Sequence, residues 1–378
     1  MCSFNLLKNY LKEYSINLLT NQYNQASVLR NHYPRLRTDI ELMGRSSRFI
    51  VDILSGNLKR ISIAVTYKCN MRCQTCNVWQ TYIDNPSLLK DEMTVEDYRM
   101  FFSKTSFWNW ISFTGGEPFL KDNFKDILID SVNLCKNLHT ISIPTNGFFS
   151  ERIVKTVEEV LNETTIPALH ITISLDGKRE THDKLRGRMG AFDRALTTFN
   201  KLREIDDSRL DVYFEYTASK FNNGELSELF ETGDFNKKDF IITLGQNSFF
   251  YNNAEINCVP DKDAIKKDLS NFLSNYSFCN TRSIGQYFFL NCYLNNVSIP
   301  CIAGKNTYHM NPYGVITPCI FIQNKIGSAS EGIQRQFLKP NGCTCYTPCE
   351  SYFALLFHWE KTPISACRIL YKKFFNQL

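Results

Sequence analysis

The spacing of apolar positions changes near residue 59 of the chain. Before that point, Leu7, Leu11, Tyr14 and Leu18 lie close to helical spacing, so we expect residues 1–58 to form a helical N-terminal segment. From residue 59 to residue 250, six short β-branched runs alternate with polar, amphipathic stretches. The runs cover residues 61–65, 111–114, 141–144, 169–175, 210–216 and 240–244. This alternation predicts βαβ units and a parallel sheet.

Six strand–helix units are too few to close an eight-stranded barrel. We therefore expect an α/β fold in which residues 59–250 form a partial (β/α)6 TIM-like barrel. Thr94 and Ser150 precede two of the amphipathic stretches and are predicted helix starts. After residue 250 the alternation stops, and Asn, Gly and Cys become frequent. A hairpin is predicted at 308–317, and residues 251–378 are expected to form a small Cys-rich domain organised by metal.

Composition excludes some classes of function. The net charge is +5 and the chain has no dense basic run, so we expect no nucleic-acid partner. The first residues mix Lys8, Lys12 and Glu13 into apolar positions without a cleavage site, which argues against a signal peptide. No apolar stretch is long enough to cross a bilayer, and the N-terminal helices are expected to pack on the barrel and not on a membrane surface. The expected location is cytoplasmic.

The chain has 14 cysteines, and their distribution is uneven. In a reducing cytoplasm such residues are metal ligands or buried apolar side chains more often than disulfides. Two groups and an intervening pair are candidate ligands: Cys69, Cys73 and Cys76; Cys343, Cys345 and Cys349; and Cys301 with Cys319. The others are expected to pack in the core, namely Cys2, Cys135, Cys258, Cys279, Cys292 and Cys367.

The first group has the spacing Cys-x3-Cys-x2-Cys and follows the first predicted strand directly. A 4Fe–4S cluster normally takes four cysteine ligands, so three from one loop leave one iron open. A catalytic zinc site keeps a position free in a similar way. The alternatives are a zinc site that lacks its fourth ligand, or chance spacing. A zinc knuckle usually has two CxxC-like pairs, and only one triplet is present here.

At these residues the chain resembles the radical S-adenosylmethionine (radical SAM) superfamily, whose signature is CxxxCxxC after the first barrel strand. One position departs from the family pattern: Thr75 stands where an aromatic or bulky apolar residue usually packs near adenine. The second predicted strand ends in Gly115-Gly116-Glu117-Pro118, which resembles the GGEP motif of the family. The resemblance implies that this motif holds the amino group of S-adenosylmethionine, with Glu117 as the charge partner of the ammonium.

Polar residues also follow the third and fourth predicted strands. Ligands of parallel α/β folds bind at the carboxyl ends of strands, which brings Asn146, Ser174 and Arg186 to the expected site. The resemblance assigns Ser174 to the ribose and Arg186 to the methionine carboxylate. For Arg186 the alternative is a surface ion pair.

Three further residues each have two possible roles. Asp176 is either a substrate-side acid or a turn residue. Gln246 and Asn247, after the sixth strand, contact adenosine or belong to a plain loop. No catalytic side chain is assigned.

The spacing Cys301-x12-Gly314-x4-Cys319, with the later cysteines, resembles the start of the accessory SPASM or twitch domain. Because the later group is shorter than in a full SPASM domain, the resemblance implies one auxiliary 4Fe–4S cluster. Its expected ligands are Cys301, Cys319, Cys345 and Cys349, with Cys343 as the alternative. A structural zinc site is the competing interpretation.

The resemblance implies an iron–sulfur oxidoreductase or maturase-type enzyme. Reductive cleavage of S-adenosylmethionine gives a 5′-deoxyadenosyl radical that abstracts hydrogen from a substrate. The expected electron donor is a flavodoxin or ferredoxin, and the expected substrate is a peptide. The alternative substrates are a sugar, nucleoside or lipid precursor.

One observation bears on the peptide substrate, and another bears on whether the protein is an enzyme. Only about sixty residues precede the barrel, fewer than the roughly eighty of a leader-binding domain, which counts against the peptide. The non-enzymatic alternatives are an iron–sulfur electron carrier and a zinc-stabilised binding module. Glu117 and Arg186 argue against both, because neither needs a cofactor pocket at strand ends.

Overall fold

The computed structural model describes residues 34–231, 233–274, 276, 281–299 and 301–334. Most of the predicted N-terminal segment therefore lies outside the described residues. The same holds for Cys343, Cys345 and Cys349, and for Cys2, Cys279 and Cys367.

Six parallel strands form the centre of the molecule and confirm the predicted α/β fold. They are β1 (Arg60–Thr66), β2 (Trp110–Gly115), β3 (Thr140–Thr145), β4 (Ala168–Ser174), β5 (Leu210–Ala218) and β6 (Phe240–Leu244). Each strand pairs in parallel with the next, from β1 to β6. Because β1 and β6 do not pair with each other in the described sheet, the six strands form an open, partial barrel.

Helices connect the strands on the outside of this sheet. The α-helices are α1 (Pro34–Ser55), α2 (Thr81–Asp84), α3 (Val95–Lys104), α4 (Phe124–Leu134), α5 (Ser150–Glu163), α6 (Arg179–Arg186), α7 (Ala191–Arg203), α8 (Glu225–Glu231), α9 (Lys262–Leu273) and α10 (Thr281–Leu294). Short 3₁₀ helices cover Val78–Gln80, Pro86–Asp91, Pro118–Leu120 and Lys237–Asp239. None of the described helices is both long enough and apolar enough to span a membrane.

The two predicted helix starts differ in detail. Thr94 caps α3 in a reciprocal capping box: its hydroxyl accepts from the Asp97 amide, and the Asp97 carboxylate accepts from the Thr94 amide. Ser150 does not cap α5. It is the first residue of that helix, and its hydroxyl lies 2.6 Å from the hydroxyl of Thr198. A buried hydroxyl partner on the neighbouring helix thus replaces the expected contact with the backbone.

Four more strands extend the sheet beyond β1. They are β7 (Thr307–Met310), β8 (Val315–Thr317), β9 (Gly327–Ser328) and β10 (Gly332–Ile333). The strand β7 pairs in parallel with β1, and β7 and β8 form the predicted hairpin. The sheet of the barrel therefore continues into the Cys-rich segment, and the division of the chain at residue 250 stays a prediction.

The helix α1 is fixed against the outside of the barrel. The guanidinium of the buried Arg45 donates to the carbonyl oxygens of Val132, Cys135 and Leu138 at distances of 2.8–3.0 Å. These carbonyls belong to the last turn of α4 and the residues after it, where the helix leaves backbone acceptors without partners. The cation also opposes the partial negative charge of that helix end.

The two faces of the barrel strands differ in polarity. Isoleucines at alternate positions of β1, β3 and β4 are fully buried against the helices. The register aligns Ser62, Ser112, Ser142 and His170 on the opposite face, which lines the inside of the barrel. TIM barrels usually fill this space with bulky branched side chains. Small hydroxyl groups leave room inside this barrel and provide hydrogen-bonding partners for a polar ligand.

Candidate functional site

The three cysteines of the first group lie together on the loop that follows β1, which we call the cysteine loop (residues 67–77). The charge states of Cys69 and Cys76 each depend on that of Cys73, so the three thiols are close neighbours. Burial raises the pKa of the Cys69 thiol to about 12 and also raises the pKa values of Cys73 and Cys76. Burial therefore favours the protonated thiols. Bound iron favours the thiolate form instead, because a metal cation binds the deprotonated sulfur.

The three thiols can be compared with the site of a single metal ion and with the site of a cluster. In the described part of the chain, no three His, Cys, Asp or Glu side chains converge on one position that could hold such an ion. A cluster places different demands on the protein, because its thiolate ligands bind different irons. A donor set of three thiols fits a cluster with one open iron, and a zinc site remains the alternative interpretation.

The end of β2 holds the cysteine loop on one side. The amide of Gly116 donates to the Thr66 carbonyl at 2.7 Å, and the amide of Glu117 donates to the Lys68 carbonyl at 2.9 Å. A Cβ atom on Gly115 would lie 2.2 Å from the Thr66 oxygen, and one on Gly116 would lie 2.4 Å from the Lys68 oxygen. The absence of a side chain at these two glycines therefore lets the backbone of the cysteine loop approach the end of β2.

Glu117 points its carboxylate into the space beneath this loop and is 1% exposed. The carboxylate accepts hydrogen bonds from the Asn146 amide at 2.8 Å and from the Thr145 hydroxyl at 2.7 Å. It also accepts from the Phe119 amide. Burial nevertheless outweighs these donors and raises the pKa of Glu117 to about 7. A buried carboxylate held in this way favours a cationic partner.

The carboxyl end of α6 holds the cysteine loop on a second side. The amides of Arg72 and Gln74 donate to the carbonyls of Arg186 and Leu185 at 3.0 and 2.8 Å. Gly187 ends the helix at φ +60°, where a Cβ atom would lie 2.3 Å from the Arg72 carbonyl oxygen. This role of Gly187 is not visible in the sequence, because only the folded chain brings the two segments into contact.

Arg186 forms an ion pair with Asp176 in which the two side chains are 15% and 6% exposed, so this pair does not lie on the surface. One of its terminal nitrogens lies 2.7 Å from a carboxylate oxygen of Asp176, and the other lies 4.0 Å from the sulfur of Cys73. Burial alone would lower the pKa of Arg186, but Asp176 and Cys73 hold it above its usual value. The Nε atom of Arg186 is buried without a hydrogen-bond partner among the described residues. Asp176 also accepts from the Thr217 amide at 2.9 Å, so it positions the guanidinium.

The remaining strand ends complete the surroundings of the loop. The side-chain amide of Asn146 donates to Asn70 on the cysteine loop at 2.8 Å. Ser174 ends β4 opposite Glu215, half-buried. The loop after β6 supplies a third support, which sequence reasoning also missed: Asn253 donates to the Thr75 carbonyl at 2.8 Å. In the same loop, the side-chain oxygen of Asn247 accepts from the Cys258 amide at 3.0 Å.

The described C-terminal cysteines lie at the other end of β1. Cys319 follows the end of β8, and Cys301 precedes the start of β7, which pairs with the start of β1. The seven residues of β1 therefore separate this region from the cysteine loop, a distance of roughly 20 Å at strand spacing. The scattered Cys135, Cys258 and Cys292 are buried in the core, as predicted.

The turn of the β7–β8 hairpin reaches the cysteine loop. The ring of Tyr313 packs edge-on against Tyr67, with 5.9 Å between the ring centroids. The Tyr67 amide donates to Glu92, and Lys121 pairs with the same carboxylate at 2.8 Å. The Cys-rich segment is thus in direct contact with the first residue of the cysteine loop.

Comparison with known proteins agrees with this arrangement. Residues 63–231 match the Radical SAM superfamily. The sporulation killing factor maturation protein SkfB of Bacillus subtilis is 27% identical over 172 residues, which cover 45% of this chain and 38% of SkfB. Fe-coproporphyrin III synthase of Methanosarcina barkeri is 29% identical over 171 residues, which cover 44% of this chain and 39% of the synthase. The chain spans about two fifths of the length of these relatives.

A solved structure shares the fold. Native anSMEcpe with bound AdoMet (S-adenosylmethionine) and Cp18Cys peptide aligns with a TM-score of 0.53 at 16% identity. The alignment covers 82% of this chain and 99% of that chain. The likeness extends over the open parallel barrel and, at this identity, concerns the fold. Residues 63–231 of the present chain therefore have the sequence pattern of the Radical SAM superfamily.

Proposed function

We propose that this protein is a radical SAM enzyme in which Cys69, Cys73 and Cys76 hold a 4Fe–4S cluster. The observation that supports this most directly is the gathering of three half-buried thiols on one loop that three separate segments hold in place. When bound, the reduced cluster supplies the electron that splits S-adenosylmethionine into methionine and a 5′-deoxyadenosyl radical, which abstracts hydrogen from the substrate. The protein must orient the cofactor and exclude water from it.

The residues around the loop fit the methionine part of the cofactor. Glu117 offers a buried carboxylate to the ammonium, next to the glycines Gly115 and Gly116. Arg186 uses one terminal nitrogen on Asp176 and keeps its Nε without a partner in the described residues, so it has a donor left for the methionine carboxylate. Asn146 and Ser174, at the ends of β3 and β4, are the proposed contacts for the rest of the cofactor.

We also propose an auxiliary 4Fe–4S cluster in a SPASM- or twitch-like domain over residues 251–378. Cys301 and Cys319 supply two of the four ligands in this proposal, with Cys345 and Cys349, or Cys343, as the others. The proposal rests on cysteine spacing and on the position of Cys301 and Cys319 at one end of the β7–β8 hairpin. The barrel itself is assigned to residues 59–250, and residues 1–58 to a helical segment.

The proposed substrate is a peptide. SkfB is a maturation protein by name, and the structure of anSMEcpe contains a bound peptide. A small-molecule substrate is the second candidate, because Fe-coproporphyrin III synthase aligns over a similar stretch. The polar interior of the barrel suits either one. The proposed electron donor is a flavodoxin or ferredoxin, in a cytoplasmic setting.

The test is anaerobic reconstitution of the full chain with iron and sulfide. We expect about eight irons per chain, four for each cluster. S-adenosylmethionine and dithionite should then yield 5′-deoxyadenosine, measured by chromatography. About four irons would exclude the auxiliary cluster, and failure to form 5′-deoxyadenosine at full iron content would exclude the proposed chemistry.

The pKa of Glu117 predicts that cofactor binding depends on pH. The cofactor ammonium binds the carboxylate form, which prevails above the pKa of about 7. As the pH falls below 7, the protonated fraction grows, and affinity should fall towards tenfold for each pH unit. Equilibrium binding of S-adenosylmethionine to reconstituted protein between pH 6 and 8 measures this effect.

Two variants test whether titration of Glu117 causes the pH dependence of cofactor binding. Glu117→Gln removes the titrating group and should flatten the pH profile at a weaker affinity. Glu151→Gln removes a carboxylate that is exposed and paired with Lys201, so it should keep the wild-type profile. An unchanged slope in Glu117→Gln would assign the pH dependence to another group.

A further inference from the structure

The outer side of the cysteine loop is positively charged. Arg72 lies between Cys69 and Cys73, and its side chain is exposed to solvent. Its guanidinium donates to the carbonyls of Cys69 and Met71 at 3.1 and 2.9 Å and lies 4.7 Å from the ring centroid of Trp79. The thiols interact with Glu117, Asp176 and Arg186 on the inner side. The loop therefore has its sulfur atoms towards the barrel and a fixed cation towards solvent.

The turn between α6 and α7 continues this surface. Arg188 donates to the Asn70 carbonyl at 2.8 Å, and its guanidinium lies 4.0 Å from the ring centroid of Phe148. Arg194 lies 5.8 Å from the same ring. Gly187 contacts Arg72 through the close approach described above. We call Arg72, Arg188 and Arg194, with the ring of Phe148 between the last two, the arginine surface.

The charge of this surface is not neutralised by its neighbours. In the portion of the chain that the structure covers, the three guanidinium groups contact carbonyls or aromatic rings and form no ion pair with a carboxylate. Asp183 is buried and accepts from the amides of Gly190 and Phe192.

Nearby, Asp193 pairs with Arg179. Met189 is 86% exposed on the same turn as Arg188. A cationic surface without carboxylate partners is complementary in charge to an acidic protein.

We propose that an acidic one-electron carrier protein of the flavodoxin type docks on the arginine surface and reduces the cluster through the cysteine loop. This inference rests on the proposed function and names the site at which its electron enters. The carrier loses one electron and the cluster gains one, and no covalent bond forms or breaks. A partner on Arg72 lies directly outside the backbone that joins Cys69 to Cys73. A substrate must instead reach the interior of the barrel, on the other side of this loop, which favours the carrier over an acidic substrate segment.

The test reverses charge at positions that do not contact the cysteine loop. The double variant Arg194→Glu with Met189→Glu changes the local charge by three units, and its control, Lys266→Glu with Lys267→Glu, alters exposed lysines on α9. Binding of a purified acidic flavodoxin is measured by titration at low ionic strength. We expect the affinity of the double variant to fall about tenfold or more. The difference in flavodoxin affinity between the wild type and the double variant should become smaller as salt is added, because salt screens exposed charges.

A second readout separates docking from chemistry. Formation of 5′-deoxyadenosine with reduced flavodoxin should fall in the double variant, and formation with dithionite, a small reductant, should equal that of the wild type. Equal flavodoxin affinity in the double variant and the wild type would overturn the proposal, as would an equal loss with both reductants. If no variant or wild type forms 5′-deoxyadenosine with dithionite, the proposed function fails, while the binding titration still reports on the docking surface.

Discussion

Replacing Cys73 by alanine is expected to abolish 5′-deoxyadenosine formation and to lower the iron content by about four per chain. Cys73 is the central member of the triplet, because the charge states of Cys69 and Cys76 both depend on it and Arg186 contacts its sulfur. Two remaining thiols cannot hold a cluster that normally needs four ligands. The measurements are iron content after anaerobic reconstitution and 5′-deoxyadenosine after addition of dithionite.

The matched control is Cys292→Ala. Cys292 is a buried cysteine, 5% exposed, and it lies on α10 among core residues. Its replacement removes a sulfur atom from the core and should leave the iron content and the product unchanged. Persistent product in Cys73→Ala, or loss of four irons in Cys292→Ala, would assign the cluster to other residues.

Gly187→Ala is expected to prevent stable cluster binding without a change in any ligand. The new methyl group would lie 2.3 Å from the Arg72 carbonyl oxygen, and backbone atoms cannot yield as the end of a flexible side chain can. Either the cysteine loop moves or the end of α6 does, and both movements break the hydrogen bonds of Arg72 and Gln74 to that helix. We expect most of the iron that Cys69, Cys73 and Cys76 hold to be lost, with a matching fall in 5′-deoxyadenosine.

Gly190→Ala is the control that shows whether the clash or backbone strain causes the loss of iron in Gly187→Ala. Gly190 has φ +76°, similar to the +60° of Gly187, so alanine costs about 1–2 kcal/mol in either place. No atom lies within 4 Å of a Cβ atom on Gly190. The control should lower the midpoint of thermal unfolding slightly and keep its iron. If both variants lose iron equally, strain in the turn is the cause and the proposed clash is not.

The strands of the barrel could be predicted because their signal is local. The predicted sixth strand, residues 240–244, has the same limits as β6. The predicted first strand, residues 61–65, is one residue shorter than β1 at each end. Buried parallel strands are short β-branched runs between polar segments, so their limits are visible in the sequence. The pairing of β7 with β1 was not predicted, because it joins segments from opposite ends of the described chain.

The candidate site could be predicted only in part, because its motifs are local in the sequence and its supporting contacts are not. Cys69, Cys73, Cys76 and Glu117 belong to short motifs whose spacing is visible in the sequence. The supports of the cysteine loop have no such signal, because a glycine after a helix usually marks only the helix end. That Gly187 also meets the Arg72 carbonyl depends on tertiary packing. The partnership of Asp176 with Arg186 is likewise a product of the fold, in which the end of β4 faces α6.

The place of β7 in the sheet has a consequence for biosynthesis. All seven residues of β1 are buried in the finished protein, yet the neighbour on one of its two sides is among the last described segments to leave the ribosome. Until that segment arrives, β1 presents an edge with unpaired backbone groups to solvent. Such an edge readily pairs with other chains, and contacts between distant segments also form slowly. The nascent polypeptide therefore passes through a stage in which this edge of β1 is open to aggregation, and that stage ends when residues 307–310 pair with it.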